Sequence, residues 1–335
     1  MNNGNVSRQR REAIRNVLMG NKALFILIAM GIALTLMSPY FLTKTNLLNV
    51  LRQVCVSTLL SVGFTVVLAS GHMDLSVGNL LGLSGMILAK LIVEAHVPTA
   101  LAIVITLIFS VFCASINASL ITWFQLPPFI VTMATQYIFR GTNYLISRLI
   151  PITGLPTELT FIGQGYWLDV PVPVYIMLVV VIIMWIVMDN TKFGRYVLAC
   201  GGNADAARVC GINVNAMRHY VYMCGGFCTG LAAVVATGRA ASAQVAAGQG
   251  MEMDAIAAVV IGGTSMKGGN ANVPGTLFGC LIVGVVNNGL NLLRINSNWQ
   301  VVAKGVLILI AVIIDVVSAR SYAIRLNKQA ARSND

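Results

Sequence analysis

The chain has 335 residues, of which 57% are hydrophobic and only 10% charged, with a mean hydropathy of +0.81. Soluble domains carry about 25% charged residues, so composition argues against a water-soluble fold. The net charge of +11 is explained by its distribution along the chain rather than by a nucleic-acid partner. Lipid offers the backbone no hydrogen-bond partner, which leaves helices or a closed barrel; apolar stretches near 20 residues, without the alternation of barrel strands, decide for helices.

Arg8, Arg10, Arg11 and Arg15 precede an apolar stretch over 23–42. It is too long for a signal-peptide core and lacks a small-x-small cleavage site, so it reads as a retained first helix. Further spans are expected at 47–69, 75–93, 99–121 and 128–147, then at 172–188, 220–238, 252–264, 274–293 and 299–317, about ten in all. The eighth is short and is expected to be tilted, broken or only partly crossing. An even number of crossings with the N-terminus inside puts the basic residues up to Lys22 in the cytoplasm. The same side receives Lys192, Arg195, Arg208 and Arg218, then Lys267, and finally Arg320, Arg325, Lys328 and Arg332. An odd number would strand one basic tail outside. The expected architecture is an all-α polytopic membrane protein with both termini inside. It has a basic tail over 1–22, a single transmembrane domain over 23–318 and a C-terminal tail over 319–335.

Two connections exceed the short loops. The outer one, 149–171, holds Pro151, Gly154, Pro156 and Pro171 and is expected to be compact. The inner one, 189–217, is long enough for a short helix along the membrane face. Seven cysteines lie mostly in apolar spans or in this inner loop and read as small buried hydrophobes rather than disulfide or zinc ligands.

Asp74 and Ser76 stand where the second span turns into the third; Asp74 suits either an N-cap of the third helix or a gate that meets a hydroxylated substrate. Met251-Glu252-Met253-Asp254 echoes Gly71-His72-Met73-Asp74 before the eighth helix, which suggests an inverted repeat of helices 2–5 and 7–10. Glu252 and Asp254 could cap that helix, pair with Arg239, or meet a docking protein. Thr132, Thr135, Gln136, Arg140 and Asn143 fall at helical spacings that make one polar stripe, fit either to line a pathway or to bond between helices. With Asn117, Phe129 and Ser76, the residues Asp74, Thr132, Gln136 and Arg140 are the candidate pathway or gate residues. Arg52 and Lys90 are expected to snorkel, Lys304 is a further costly charge within a span, and the amides of Asn287, Asn288 and Asn291 are expected to pack between helices.

No G-x-x-x-x-G-K-[S/T] loop is present, and no Ser-His-Asp or His/Cys cluster has catalytic or metal-like spacing, so neither an enzyme nor a metal site is expected. Energy must come from a partner or a gradient. In the inner loop Asn203 is a good N-cap, 204–209 favours helix, and Gly211 is a natural stop. The result is a two-turn helix with a small Ala206/Ala207 face flanked by Asp205 and Arg208, suited to a groove of another protein or to lipid headgroups.

This loop, with Gly71-His72-Met73-Asp74-Leu75-Ser76-Val77-Gly78, Leu126-Pro127-Pro128-Phe129-Ile130-Val131-Thr132 and the run 254–265, resembles the ribose-type monosaccharide permeases of bacterial ABC importers over roughly residues 20–320. The resemblance implies a permease of the bacterial inner membrane that pairs with a second permease copy, identical or paralogous. It also implies a cytoplasmic ABC ATPase subunit that uses ATP and Mg, and a periplasmic sugar-binding protein that delivers substrate. Asn203, Ala206, Ala207 and Gly211 would form the helix that docks on the ATPase. Two places depart from the family: Gly-Gly-Ile-Asp is frequent where this chain has Gly71-His72-Met73-Asp74, and Gly-Gly-Arg/Lys-Gly where it has Gly268-Gly269-Asn270-Ala271. An ion-coupled secondary transporter and an ABC permease for branched-chain amino acids are the alternatives.

Overall fold

The computed structural model describes residues 22–296 and, beyond them, residues 298, 299, 301–303, 305, 306, 309 and 313. Expectations for the tails 1–21 and 319–335, and for Lys304 and most of the last span, lie outside the described residues.

Helix α1 (Lys22–Met37) leads into α2 (Lys44–Ala69), which starts where the Thr43 side chain accepts from the Asn46 amide at 3.4 Å. A short break precedes α3 (Val77–Val93); α4 (Thr99–Trp123) and α5 (Pro128–Ser147) follow, the latter with proline in its first turn, where no donor is lost. The connection 149–171 is compact: it forms a helix, α6 (Thr157–Gln164), and an antiparallel pair of two-residue strands, β1 (Tyr166–Trp167) and β2 (Val170–Pro171). An isolated bridge ties Ile152 to Ala243. Next come α7 (Val172–Asn190), then α8 (Lys192–Gly202) and α9 (Ala204–Val209) in the long inner connection, and α10 (Val214–Ala240), α11 (Met251–Ile261) and α12 (Val273–Leu292).

Five of these, α2, α4, α7, α10 and α12, are long and apolar enough to cross a membrane. α2, with 26 residues, reaches about 39 Å against a hydrocarbon core of about 30 Å. Burial sorts them by position: the most apolar stretch of α2 is 78% buried and that of α10 72%, whereas those of α4 and α7 are only 28% and 33% buried. A helix apolar on all sides and enclosed is a central post; one whose apolar side chains stay uncovered faces lipid. On α4 the uncovered row is Leu101, Ile105, Ile108 and Phe112, at helical spacing. The whole is a mostly helical, polytopic membrane fold.

The posts approach closely through missing side chains. A Cβ on Gly63 of α2 would strike Cys228 of α10, and one on Gly226 would strike Ala114 and the Ser110 carbonyl of α4. This is the small-residue packing that replaces hydrophobic drive inside a bilayer. The eighth expected span is confirmed as short: α11 has 11 residues and rises about 16 Å, half a crossing. All seven cysteines are free, Cys210 alone among them exposed. Two expectations about charges are adjusted. Lys90 pairs with Glu94 at 2.6 Å one turn on. Arg52 does not extend freely but is clasped, donating to the Gln164 carbonyl at 3.0 Å and lying over the Tyr166 ring at 4.4 Å.

Candidate functional site

The inner connection is a rigid capped unit. Thr191 opens α8 by accepting from the Gly194 amide at 3.4 Å. Asn203 closes α8 and opens α9, its side-chain oxygen accepting from the Ala206 amide at 2.9 Å. At the far end Gly211, at φ +84, donates to the Arg208 carbonyl, and Ile212 donates to the Ala207 carbonyl, both at 3.0 Å. These bonds form a Schellman stop, which requires the left-handed backbone that glycine adopts without cost. Asn213 then caps α10 through the Ala216 amide at 3.0 Å. Asp205 and Arg208 pair across one turn at 3.1 Å on the exposed side.

The expected small-residue face needs correction. Ala207 is 4% exposed and packs into the core with Val197, Met217 and Val221, because it lies on the side of α9 that rests on α8 and α10. Outward stand Asp205, Ala206, Arg208, Cys210 and, missed in the sequence, Val209 at 89% exposure. Nothing in the local sequence marks Val209 as outward, since the packing of α8 and α10 decides which side of α9 is covered.

At the α2–α3 break four candidate residues meet in a buried polar knot. Asp74 is not the N-cap of α3: the helix begins three residues later, at Val77, with Ser76 in the N-cap position. Asp74 Oδ1 instead accepts from the Ser76 amide at 2.9 Å and the Ser76 hydroxyl at 2.6 Å, and Asn117 of α4 donates to that hydroxyl at 2.9 Å. Thr132 of α5 closes the group by donating to the Met73 carbonyl at 3.2 Å. Asp74, Ser76, Asn117 and Thr132 are all buried, so they lock α3, α4 and α5 together and do not line an open path here. His72 beside them bonds through Nδ1 with the Ser70 hydroxyl at 2.9 Å, and its burial, aided by the nearby Arg218 charge, pushes the imidazole down to about 4. His72 is therefore neutral near pH 7.

The stripe on α5 divides. Thr132, Thr135 and Asn143 face inward; Gln136 donates to Glu252 Oε1 at 3.0 Å, and Asn143 donates to the Val245 carbonyl at 3.0 Å. Arg140 is displaced from this face and exposed, bonded to the Tyr144 hydroxyl at 2.7 Å, which in turn accepts from Gln249 at 2.9 Å. Phe129 is half exposed on the outer side of the same helix. The segment 242–250, which the sequence did not single out, holds the other half of these bonds. It threads against a glycine edge of α3, where a Cβ at Gly78 or Gly82 would collide with the carbonyls of Gly248 or Ala247.

Glu252 is 5% exposed, which leaves it no surface for a docking protein, and the residue at the N-cap position of α11 is Gly250, which makes no side-chain cap bond. Both acids nonetheless sit in the first turn, where the helix dipole favours them. Asp254 is partly buried. Arg239 forms no ion pair with Glu252; its guanidinium reaches the Arg52 carbonyl at 3.5 Å. Asn288 exchanges amide bonds with Asn46 at 2.8 and 3.0 Å, the packing role expected of such groups. Among the described residues no group of His, Cys, Asp or Glu could hold a metal.

Between α9, the α2–α3 break and the start of α10 lies a cavity of about 700 Å³. The elements around it are those of the motifs that resemble sugar permeases. Residues 46–312 match the family described as the branched-chain amino acid transport system / permease component. The chain belongs to this permease family. It is 44% identical to the ribose import permease protein RbsC of Bacillus subtilis, over 87% of this chain and 90% of that one. With the D-allose transport system permease protein AlsC of Escherichia coli it shares 37% identity over 87% and 90%. With the fructose import permease protein FrcC of Rhizobium meliloti it shares 35% over 86% and 82%. No solved structure matches. Family membership accords with the buried posts and lipid-facing helices of the fold, and the match runs along most of the length of these relatives.

Proposed function

We infer that the chain is the transmembrane permease subunit of an ABC importer for a ribose-type sugar. A periplasmic binding protein hands over the sugar, and a separate cytosolic ATPase subunit, using ATP and Mg, drives its passage. The observation that carries this reading is the capped α8–α9 unit, held rigid at four points and presenting Asp205, Ala206, Val209 and Cys210 outward, in a chain similar to ribose, allose and fructose permeases. The unit transmits the ATPase stroke to α10 through Asn213 and to the core through Ala207. In this reading the chain sits in the bacterial inner membrane with about ten crossings and both termini inside, since that orientation gathers the basic loops in the cytoplasm. Of those crossings, the second to fifth and the seventh to tenth repeat one another inverted, with the half-length α11 as the counterpart of α3.

A second copy, or a paralogue, faces α5. Arg140 stands exposed on that helix among Tyr137, Ile138 and Leu145, and a charge at a helix centre facing lipid costs about 2.5–3.5 kcal/mol. A water-filled path between two copies removes that cost and makes Arg140, Tyr144 and Gln249 its polar lining.

Cys210 allows a test without mutation, because it is the one exposed thiol. A membrane-impermeant maleimide is expected to label it in inverted vesicles and not in spheroplasts, and bound ATPase should protect it. Labelling from the periplasmic face would overturn both the orientation and the docking role of α9.

A further inference from the structure

The cavity beneath α9 has a chemistry that moving a neutral sugar does not require. Its volume, about 700 Å³, falls within the roughly 300–1,000 Å³ of small-molecule sites. Arg208, Arg218 and Lys267 stand on its wall, and no carboxylate does. Arg208 shares its charge with Asp205, whereas Arg218 and Lys267 form no ion pair among the described residues. Arg218 Nε is enclosed yet without a hydrogen-bond partner, and so is the hydroxyl of Thr122, which the end of α4 contributes to the same wall. Enclosed polar groups are seldom left unpaired, and two beside one cavity are hydrogen-bonding capacity that the protein's own groups leave unused. The amides of Gln125 and Asn215 stand in the same lining, among apolar Ile121, Leu126, Val197, Val214 and Val221.

Two cations in one lining suit a phosphate, and amides with a hydroxyl suit a polyol. The volume exceeds what one acidic side chain of a docked protein would fill. We propose that this cavity binds a phosphorylated monosaccharide from the cytosol, with Arg218 and Lys267 on the phosphate and Thr122, Gln125 and Asn215 on the sugar, and that occupancy restrains import. The proposal rests on the sugar-importer reading and its orientation, and adds regulation to it. A kinase reaction supplies the ligand: a hydroxyl of the imported sugar attacks the γ-phosphorus of ATP, releases its proton, and ADP leaves. The accumulated product then reports that import has outrun consumption. The cavity touches α9 through Arg208, the α2–α3 break through His72, and the 124–127 connection into α5 through Gln125. A ligand bridging the three favours whichever arrangement it fits and holds back the exchange between states that transport needs.

The test uses the full chain with its ATPase and binding protein in phosphatidylcholine vesicles that contain ATP. Initial ribose uptake is measured with ribose 5-phosphate or inorganic phosphate enclosed. Ribose 5-phosphate is expected to lower the rate at least ~fivefold and inorganic phosphate less than ~twofold, as a site that recognises both phosphate and polyol requires. Arg218→Gln and Thr122→Val should each restore uptake in the presence of ribose 5-phosphate while basal uptake stays within ~twofold of the parent. The uncharged Thr122 variant covers the case in which Arg218→Gln fails to fold. Uptake with neither phosphate enclosed reports on the transport reading alone, so its failure is told apart from failure of this inference. Equal inhibition by both phosphates, no inhibition, or inhibition that survives both substitutions would overturn the proposal. Inhibition that vanishes when phosphatidylglycerol replaces phosphatidylcholine would assign the cavity to a lipid headgroup instead, and overturn it as well.

Discussion

A buried carboxylate must find donors nearby, and Asp74 finds both of its own on Ser76, at 2.9 and 2.6 Å, with Asn117 attached to the same hydroxyl. In Asp74→Ala the Ser76 amide loses its acceptor while it stays enclosed, a loss of about 1–3 kcal/mol. Asp74→Asn keeps one oxygen to accept the amide and should fall between the two. Melting temperatures of the detergent-solubilised chain are therefore expected in the order parent, Asp74→Asn, Asp74→Ala. Equal melting of all three would show that the knot does not hold α3 in place. The chemistry of Asp74 was legible in the sequence, since an acid, a serine and two glycines at a break between apolar runs announce a polar turn. Its register was not: whether Asp74 or Ser76 precedes the first helical residue depends on where α4 and α5 deliver Asn117 and Thr132, contacts that local spacing does not contain.

Elements show the same division between what is local and what is not. The ends of α9 were readable because capping is decided within four residues: Asn203 and Gly211 do what an N-cap and a left-handed stop do anywhere. Its orientation was unreadable, since only the packing of α8 and α10 turns Ala207 inward and Val209 outward. Likewise α6 and α8 went unseen because they are short, 8 and 11 residues, and their stability comes from the helices they lie on. Two substitutions separate these contributions. Gly211→Ala forces a Cβ into the left-handed region at a cost of about 1 kcal/mol, and should loosen α9 with only partial loss of ATPase association. Val209→Asp leaves the fold alone, as an exposed site permits, and should abolish co-purification of the ATPase while membrane levels stay unchanged. Retained association in Val209→Asp would move the docking surface elsewhere. On α3, Gly82→Val drives a side chain into the Ala247 carbonyl, which as backbone held on both sides cannot yield; overpacking of this kind costs about 1–3 kcal/mol and should lower both melting temperature and uptake.

For the molecule as a whole, composition already specified a bundle in lipid, and burial now says which helices stand inside it. One helix fits neither class. α5 is neither an enclosed post nor an apolar lipid face: its inner side bonds to the α2–α3 break, to 242–250 and to Glu252 of α11, while its outer side carries Arg140 and Tyr144 beside Phe129, Tyr137 and Leu145. Hydrocarbon would have to accept an exposed guanidinium, which the cost of a charge in a span disfavours. A facing copy of the same helix resolves this, because two such sides enclose a polar strip between apolar margins. Gly141 lies on this outer face, and a Cβ added there meets nothing within 4 Å, so a cysteine is tolerated and unobstructed. Gly141→Cys is therefore expected to yield a cross-linked dimer in membranes treated with a short bis-thiol reagent, and the yield should change when the ATPase is trapped with non-hydrolysable nucleotide. A control cysteine at Ile108, on the lipid side of α4, should give none. If Ile108→Cys cross-links and Gly141→Cys does not, the copies meet along α4, and Arg140 must find its counter-environment within a single chain.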